Sequence, residues 1–221
     1  MVPISLPEPR VLFEDNHLLI VSKPAGMLVQ GDATGDLCLL DWGKSYIKAK
    51  YKKPGDVFLG LVHRLDRPVS GLVVLARTSK ALTRLSEAFR EREVEKIYLA
   101  VVDPAPKEKQ GRLEDFLMKD SATNTSRRVS PKHKMGQRAV LSYMVVGSHD
   151  RGTLVEIQLE TGRHHQIRVQ LSGAGCSIVG DRKYGSRENY KPEAIMLHAY
   201  KLALAHPISK ERIEVTAEPE F

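Results

Sequence analysis

Within this 221-residue chain, the stretch Leu61–Lys80, LVHRLDRPVSGLVVLARTSK, holds the residues best spaced for chemistry. A polar cluster, His63-Arg64-Leu65-Asp66, turns through Pro68, Ser70 and Gly71 into the apolar run Leu72–Ala76, which reads as a buried strand. A carboxylate on a proline-stiffened segment just before such a strand is held by the scaffold and faces out of it, as a reactive acid should be mounted. The same spacing also suits a turn capped by Asp66, with Arg64 as its surface partner. Other chemistries lack their patterns. Ser70 is not in Gly-x-Ser-x-Gly. Gly31 and Gly35 are not followed by the Gly-Lys-Ser/Thr of a phosphate loop. His63, His164, His165 and His198 have no metal-ligand spacing, and adjacent histidines are expected to point apart, so no metal is expected. A glycosidase would need a second acid, and Asp181 is the one on offer, in a turn that reads as structural.

The elements that must position these residues follow from periodicity and breakers. Arg10 to Val29 reads as two strands around a turn at Glu14-Asp15-Asn16, running into the sharp loop Lys23-Pro24-Ala25-Gly26. Lys23 is expected to meet a phosphate group, or else to serve a purely structural turn. Asp36 is expected to cap a short helix with Leu37, Leu40 and Ile47 on its apolar side. The lysines at 44, 48, 50, 52 and 53 form either a solvated face or a phosphate-facing edge. Thr78 or Ser79 caps a helix through about Glu93, and Lys96–Val102 is a strand containing Tyr98. Asp103 to Arg138 shows little apolar periodicity. Between Met118 and Arg138 it carries Lys119, Arg127, Arg128, Lys132, Lys134 and Arg138 against the single acid Asp120, a loop-like candidate arm for contacting a nucleic acid by its one-signed charge. Ala139–Val146 and Thr153–Glu160 read as antiparallel strands. Thr161 is expected to cap a helix through Leu171 that carries Arg163, His164, His165, Gln166 and Arg168, ended by Gly173 and Gly175. Ile178–Asp181 is a short strand into a turn, and Ala199–Ala205 and Arg212–Thr216 close the chain. One α+β domain with a central sheet and helices packed on it is the expected architecture.

Composition bounds the partner. Lys+Arg 34 against Asp+Glu 27 gives a net charge of +7, which suits a polyanion, nucleic acid above all. Cys38 and Cys176 lie far apart and outside any CxxC pattern, so reduced buried thiols are expected rather than a disulfide or a zinc site. No N-terminal secretory-length apolar segment and no membrane-length run occur, so a soluble cytoplasmic protein is expected.

HRLDRPVSGLVVLA closely resembles the HRLDxxTSGLLLLA signature of the RluA-type pseudouridine synthases. Further matches follow in family order: Lys23-Pro24-Ala25-Gly26 upstream, then Glu95-Lys96-Ile97-Tyr98, then Leu159 through Arg168 (LETGRHHQIR). Gly180-Asp181 with Tyr184-Gly185, and Leu197-His198-Ala199, complete a set running from about residue 11 to 217. Val69 and His164 depart from the family, which usually has Thr at both. The resemblance implies an α+β fold over 1–221: one pseudouridine-synthase-like domain with a central mixed, mainly antiparallel sheet, flanking helices and RNA-contacting loops, and no appended S4 domain. It implies Asp66 as the catalytic carboxylate, Arg168 as the cation paired with it, and Tyr98 stacking on a flipped uracil and relaying the C5 proton. Ile167 is implied as an apolar wall, Arg64 as the side chain that enters the vacated space, and His63 as support for the loop. Lys96, Arg163 and Gln166 join Lys23 as expected RNA contacts. No cofactor is needed, and the implied partner of a monomeric enzyme is structured ribosomal or transfer RNA. The rival expectation is a catalytically idle RNA-binding or RNA-chaperone module on the same fold.

Overall fold

Strand β4, Ser70–Ala76, is buried along its whole apolar length, as a strand covered on both faces must be. The computed structural model describes residues 7–221; residues 1–6 of the expected 1–221 span lie outside the described residues. The chain divides into two compact units, one of residues up to 94 with 199–220, the other of residues 95–198 with Phe221.

In the first unit, β1 (Arg10–Glu14) and β2 (Leu18–Lys23) form an antiparallel hairpin. Asp15 closes it: its Oδ1 accepts from the His17 and Leu18 amides at 2.7 and 2.6 Å. β2 runs antiparallel to β4, with Leu18 opposite Ala76 and Lys23 opposite Gly71. The two-residue β3 (Gly60–Leu61) also pairs with β4. Helix α1 (Leu39–Lys50) carries Gly43, which lets Leu59, Leu75 and Leu19 approach it. The Glu14 carboxylate gathers Tyr46, Lys50, Tyr51 and Arg77, so Lys50 is committed to a structural contact while Lys48, Lys52 and Lys53 are exposed. Helix α2 (Ser79–Arg90) is capped by Thr78, whose hydroxyl accepts from the Ala81 amide at 3.2 Å. Near the end of the chain, β11 (Leu197–Ala205) and β12 (Arg212–Thr216) form a further antiparallel pair.

In the second unit, β5 (Glu95–Asp103), β9 (Gly152–Leu159), β8 (Gln137–His149), β6 (Gln110–Asp120) and β7 (Thr125–Val129) lie side by side in that order, every neighbour antiparallel. The short β10 (Ser177–Ile178) pairs with the end of β5. Helix α3 (Gln166–Gly173) packs on this sheet through Val169, which meets Leu117 and Ala139. An isolated parallel bridge joins Leu28 to Cys38 outside these strands.

Three expectations are corrected. The segment 103–138 is largely strand, not loop: Lys119, Arg127 and Arg128 sit on the β6–β7 hairpin, Lys132 and Lys134 on the turn after it, and Arg138 at the start of β8. Its apolar alternation is broken because Asp115 shares the inner face with Leu113 and Leu117; there it accepts from Gln170 Nε2 of α3 at 2.9 Å. Helix α1 starts at Leu39 with Cys38 at its N-cap, while Asp36 pairs with Arg67 at 2.8 Å and Leu37 is exposed. Helix α3 begins at Gln166, not after Thr161. The Thr161 hydroxyl bonds across to Val140 and to Gln166, and His165 adopts a left-handed φ of 54°, which breaks the helical path between them.

Candidate active site

In the first unit, Asp66 lies half-buried on the loop between β3 and β4, whose turn is closed by the Val69 amide donating to the Asp66 carbonyl at 3.1 Å. Leu65 and Val69 are buried on either side and anchor it. The loop is laced to residues 24–27. The Gly26 amide donates to the Arg67 carbonyl at 2.8 Å, and Arg67 Nε returns a bond to the Gly26 carbonyl at 3.0 Å. Beneath them Lys23 donates to the carbonyls of Pro24, Met27 and Arg67 at 2.9, 2.8 and 3.3 Å. Its side chain is fully buried, so the expectation that Lys23 meets RNA phosphate is corrected: its ammonium group is spent on the backbone. Burial pulls its pKa down to about 7, against the raising pull of the Asp66 carboxylate.

His63 supports the same loop. Because β3 stops after two residues, the Val74 amide has no strand acceptor there and donates instead to His63 Nε2 at 2.9 Å. The His63 ring stacks on Phe89 of α2, with centroids 4.6 Å apart. Arg64 is exposed beside it. Gly71, with φ of 112°, lies so close to the backbone of Ala199 that a Cβ would collide with it.

The second unit carries the other expected residues. Tyr98 is largely buried on β5 opposite Ile157, and Lys96, two residues earlier, shares its face. Ile167 and Arg168 are buried on the first turn of α3. Arg168 Nε and Nη2 grip Asp181 at 2.7 and 2.8 Å, a bidentate pair with both side chains almost wholly out of water. The guanidinium lies over the Tyr184 ring, 5.0 Å from its centroid. Asp181 is thus the partner of an expected site residue and more than a turn former, which sequence reading missed. The available signal was an arginine within the apolar face of a helix, which must find a carboxylate, but the choice of one 13 positions away requires the fold.

Two further expectations change. The Gln166 side chain, expected to contact RNA, is instead buried and bonded within the protein. Its Oε1 accepts from the Thr161 hydroxyl at 2.8 Å and the Arg163 amide at 2.9 Å, and its Nε2 donates to the Val140 carbonyl at 3.0 Å. His164 and His165 do not diverge; their rings stack 3.8 Å apart, because the left-handed backbone at His165 turns its side chain alongside its neighbour. Burial, then the charge of Arg168 and the neighbouring His164 ring, push His165 down to about 2, so it stays neutral at physiological pH. Arg163 is half-buried, and its Nε donates to the Arg138 carbonyl at 3.0 Å.

Comparison with known proteins places the chain in a family. Residues 17–173 match the family model described as RNA pseudouridylate synthase. The chain is 37% identical to an uncharacterized RNA pseudouridine synthase of Zymomonas mobilis, covering 95% of this chain and 92% of that one. It is 35% identical to the ribosomal large subunit pseudouridine synthase D of the same organism, covering 98% and 74%. Among solved structures, human RNA pseudouridylate synthase domain containing 4 superimposes with a TM-score of 0.79 at 27% identity, covering 96% of this chain and 89% of that one. No helix among the described residues is long and apolar enough to cross a membrane. The chain belongs to the RNA pseudouridylate synthase family and is an RNA pseudouridine synthase of the RluA type.

Proposed function

We propose that this enzyme converts specific uridines of ribosomal or transfer RNA to pseudouridine with Asp66 as its catalytic carboxylate, acting as one catalytic domain over residues 1–221 and as a monomer in the cytoplasm. The observation that carries the reading is the family match over 17–173, which contains Asp66, Tyr98 and Arg168. The reaction breaks the N1–C1′ bond of uridine, turns the uracil and joins it to C1′ through C5; the C5 hydrogen leaves as a proton and N1 gains one. Nothing is oxidised and no group is brought in, so no cofactor is required. An ionised carboxylate at the sugar drives it, either by attacking C1′ or by taking a proton from C2′. Arg168 supplies the cation of the site, its guanidinium plane fixed by Asp181. Tyr98 stacks on the detached uracil and relays the C5 proton, with Ile167 as the apolar wall that retains the base. Arg64 fills the gap left in the RNA, and Lys96 and Arg163 contact the backbone. Single-stranded loops of folded RNA are the targets, since their bases cost least to extrude.

The test is tritium release from RNA labelled at C5 of uridine, with wild-type protein and Asp66→Ala side by side. Release by wild type alone is expected. No release from unmodified total RNA despite salt-sensitive binding would favour an idle RNA-binding module. Equal release by both proteins would mean that another carboxylate does the work.

A further inference from the structure

Tyr184 and three polar side chains around it, Ser126, His164 and His165, close a knot that the chemistry above does not use. The Ser126 amide of β7 donates to the Tyr184 hydroxyl at 2.7 Å, and the Ser126 hydroxyl lies 2.9 Å from His164 Nδ1. The Tyr184 hydroxyl is also 2.7 Å from His165 Nδ1, and the two imidazoles stack. Tyr184 stands edge-on to His165, at 5.5 Å and 89°, while its face lies under the Arg168 guanidinium. Its own amide donates to the Asp181 carbonyl at 3.0 Å, so the phenol and the carboxylate that grips Arg168 belong to one turn. Lys183 of the same turn donates to the Asn124 carbonyl at the tip of the β6–β7 hairpin, at 3.2 Å.

This knot joins two things of different kinds. One is an edge hairpin: β7 is five residues long, pairs with β6, and exposes Arg127 and Arg128. The other is a buried ion pair whose guanidinium plane is set on one side by Asp181 and on its face by a phenol. Ser126 and His165 are buried, and packing alone would be met more readily by apolar side chains, since each polar group taken from water needs a compensating bond. What the bonds add is orientation. With Ser126 held at both its amide and its hydroxyl, β7 cannot shift without moving Tyr184, and Tyr184 cannot tilt without moving the surface on which Arg168 rests.

We propose that Ser126 and His164 are positioning residues for the pseudouridylation reaction: they lock the basic hairpin to Tyr184, so that RNA bound on the hairpin and the Arg168 guanidinium hold a fixed relation. The inference rests on the reading of Arg168 as a residue of the active site. Its test is single-turnover tritium release over a range of enzyme concentrations for wild type, Ser126→Ala, His164→Ala, the double variant, His164→Asn and Arg168→Ala, with thermal melts of each. Asparagine can restore a bond to Ser126 from the position of Nδ1 and guards against a variant that merely unfolds. The expected result is a maximal rate lowered about tenfold in each alanine variant, with half-saturation changed by less than about twofold. The double variant should be no worse than the poorer of the two single variants, because both break one knot, and His164→Asn should recover most of the rate. A lowered melting temperature with an unchanged maximal rate would overturn the proposal, reducing the knot to a structural brace. A change confined to half-saturation would also overturn it, making these residues simple RNA contacts. Full activity of Arg168→Ala would instead remove the reading of the site on which the proposal stands, and the proposal with it.

Discussion

At Lys23 an ammonium group is surrounded by protein carbonyls and lies beneath the loop that carries Asp66. Burial holds its pKa near 7, below the ordinary lysine value of 10.5 that it regains on unfolding. Between these values the unfolded chain binds the proton and the folded one does not, so Lys23's contribution to stability rises with pH from about 7 to about 10.5 and is flat below 7. We predict a side-chain NMR titration of Lys23 close to 7, moving lower in Asp66→Asn because the carboxylate that favours the charged form is gone. A titration near the ordinary lysine value in both proteins would refute it. His165 follows the same sign: held down to about 2 in the folded state, it costs stability progressively as the pH falls from 6.5 toward 2. Gln166 provides a sharper test of a corrected assignment. Gln166→Glu turns the donor facing the Val140 carbonyl into an acceptor, at a cost of about 2 kcal/mol or more. The melting temperature should drop while RNA affinity of the folded protein stays within about twofold of wild type, as a residue spent inside the protein requires. Loss of affinity without loss of stability would return Gln166 to the RNA interface.

At the scale of elements, β4 and the loops at its start illustrate how backbone needs dictate side chains. The Val74 amide takes His63 as its acceptor because β3 ends early, and Gly71 must lack a Cβ because Ala199 passes against it. Gly71→Ala should cost more than about 2 kcal/mol, combining a left-handed backbone with a collision against main chain that cannot retreat. Thr78→Ala, which removes the N-cap bond of α2, should cost about 1 kcal/mol. Chemical denaturation of the two variants should rank them in that order; equal midpoints would mean that the loop before β4 yields more easily than its packing implies. These elements were legible in the sequence because β4 is an unbroken apolar run and α2 has a cap followed by apolar residues at helical spacing. The β6–β7 hairpin was not. Its inner face includes Asp115, whose partner Gln170 lies on a distant helix, and no local pattern distinguishes such a strand from a polar loop.

For the molecule as a whole, the net charge of +7 favours a polyanion, and the second unit concentrates exposed cations on and after one hairpin. Lys119, Arg127, Lys132 and Lys134 are exposed there, whereas Arg138 is engaged by Glu114 at 2.6 Å. Replacing the first four by Glu should weaken RNA binding and flatten its salt dependence, with the log–log slope falling by roughly 0.7 for each phosphate that the protein no longer neutralises. Filter binding at several salt concentrations would measure it. An unchanged slope would place the RNA elsewhere.

What the sequence by itself determined was the family and the identity of the expected carboxylate, because six short motifs in order are carried by residue types that need no fold to be read. It also determined the strands and helices whose partners are local: the β1–β2 hairpin, β4, α2 and the β8–β9 pair. Tertiary structure alone decided where each polar side chain is spent. Lys23 and Gln166 are polar residues within family motifs, and sequence cannot tell a side chain aimed at solvent from one satisfying buried carbonyls. It likewise cannot tell that Arg168 grips Asp181, or that Ser126 reaches His164 across 38 residues. Those bonds depend on how distant segments meet, and a buried polar group takes whatever partner the packing delivers to it.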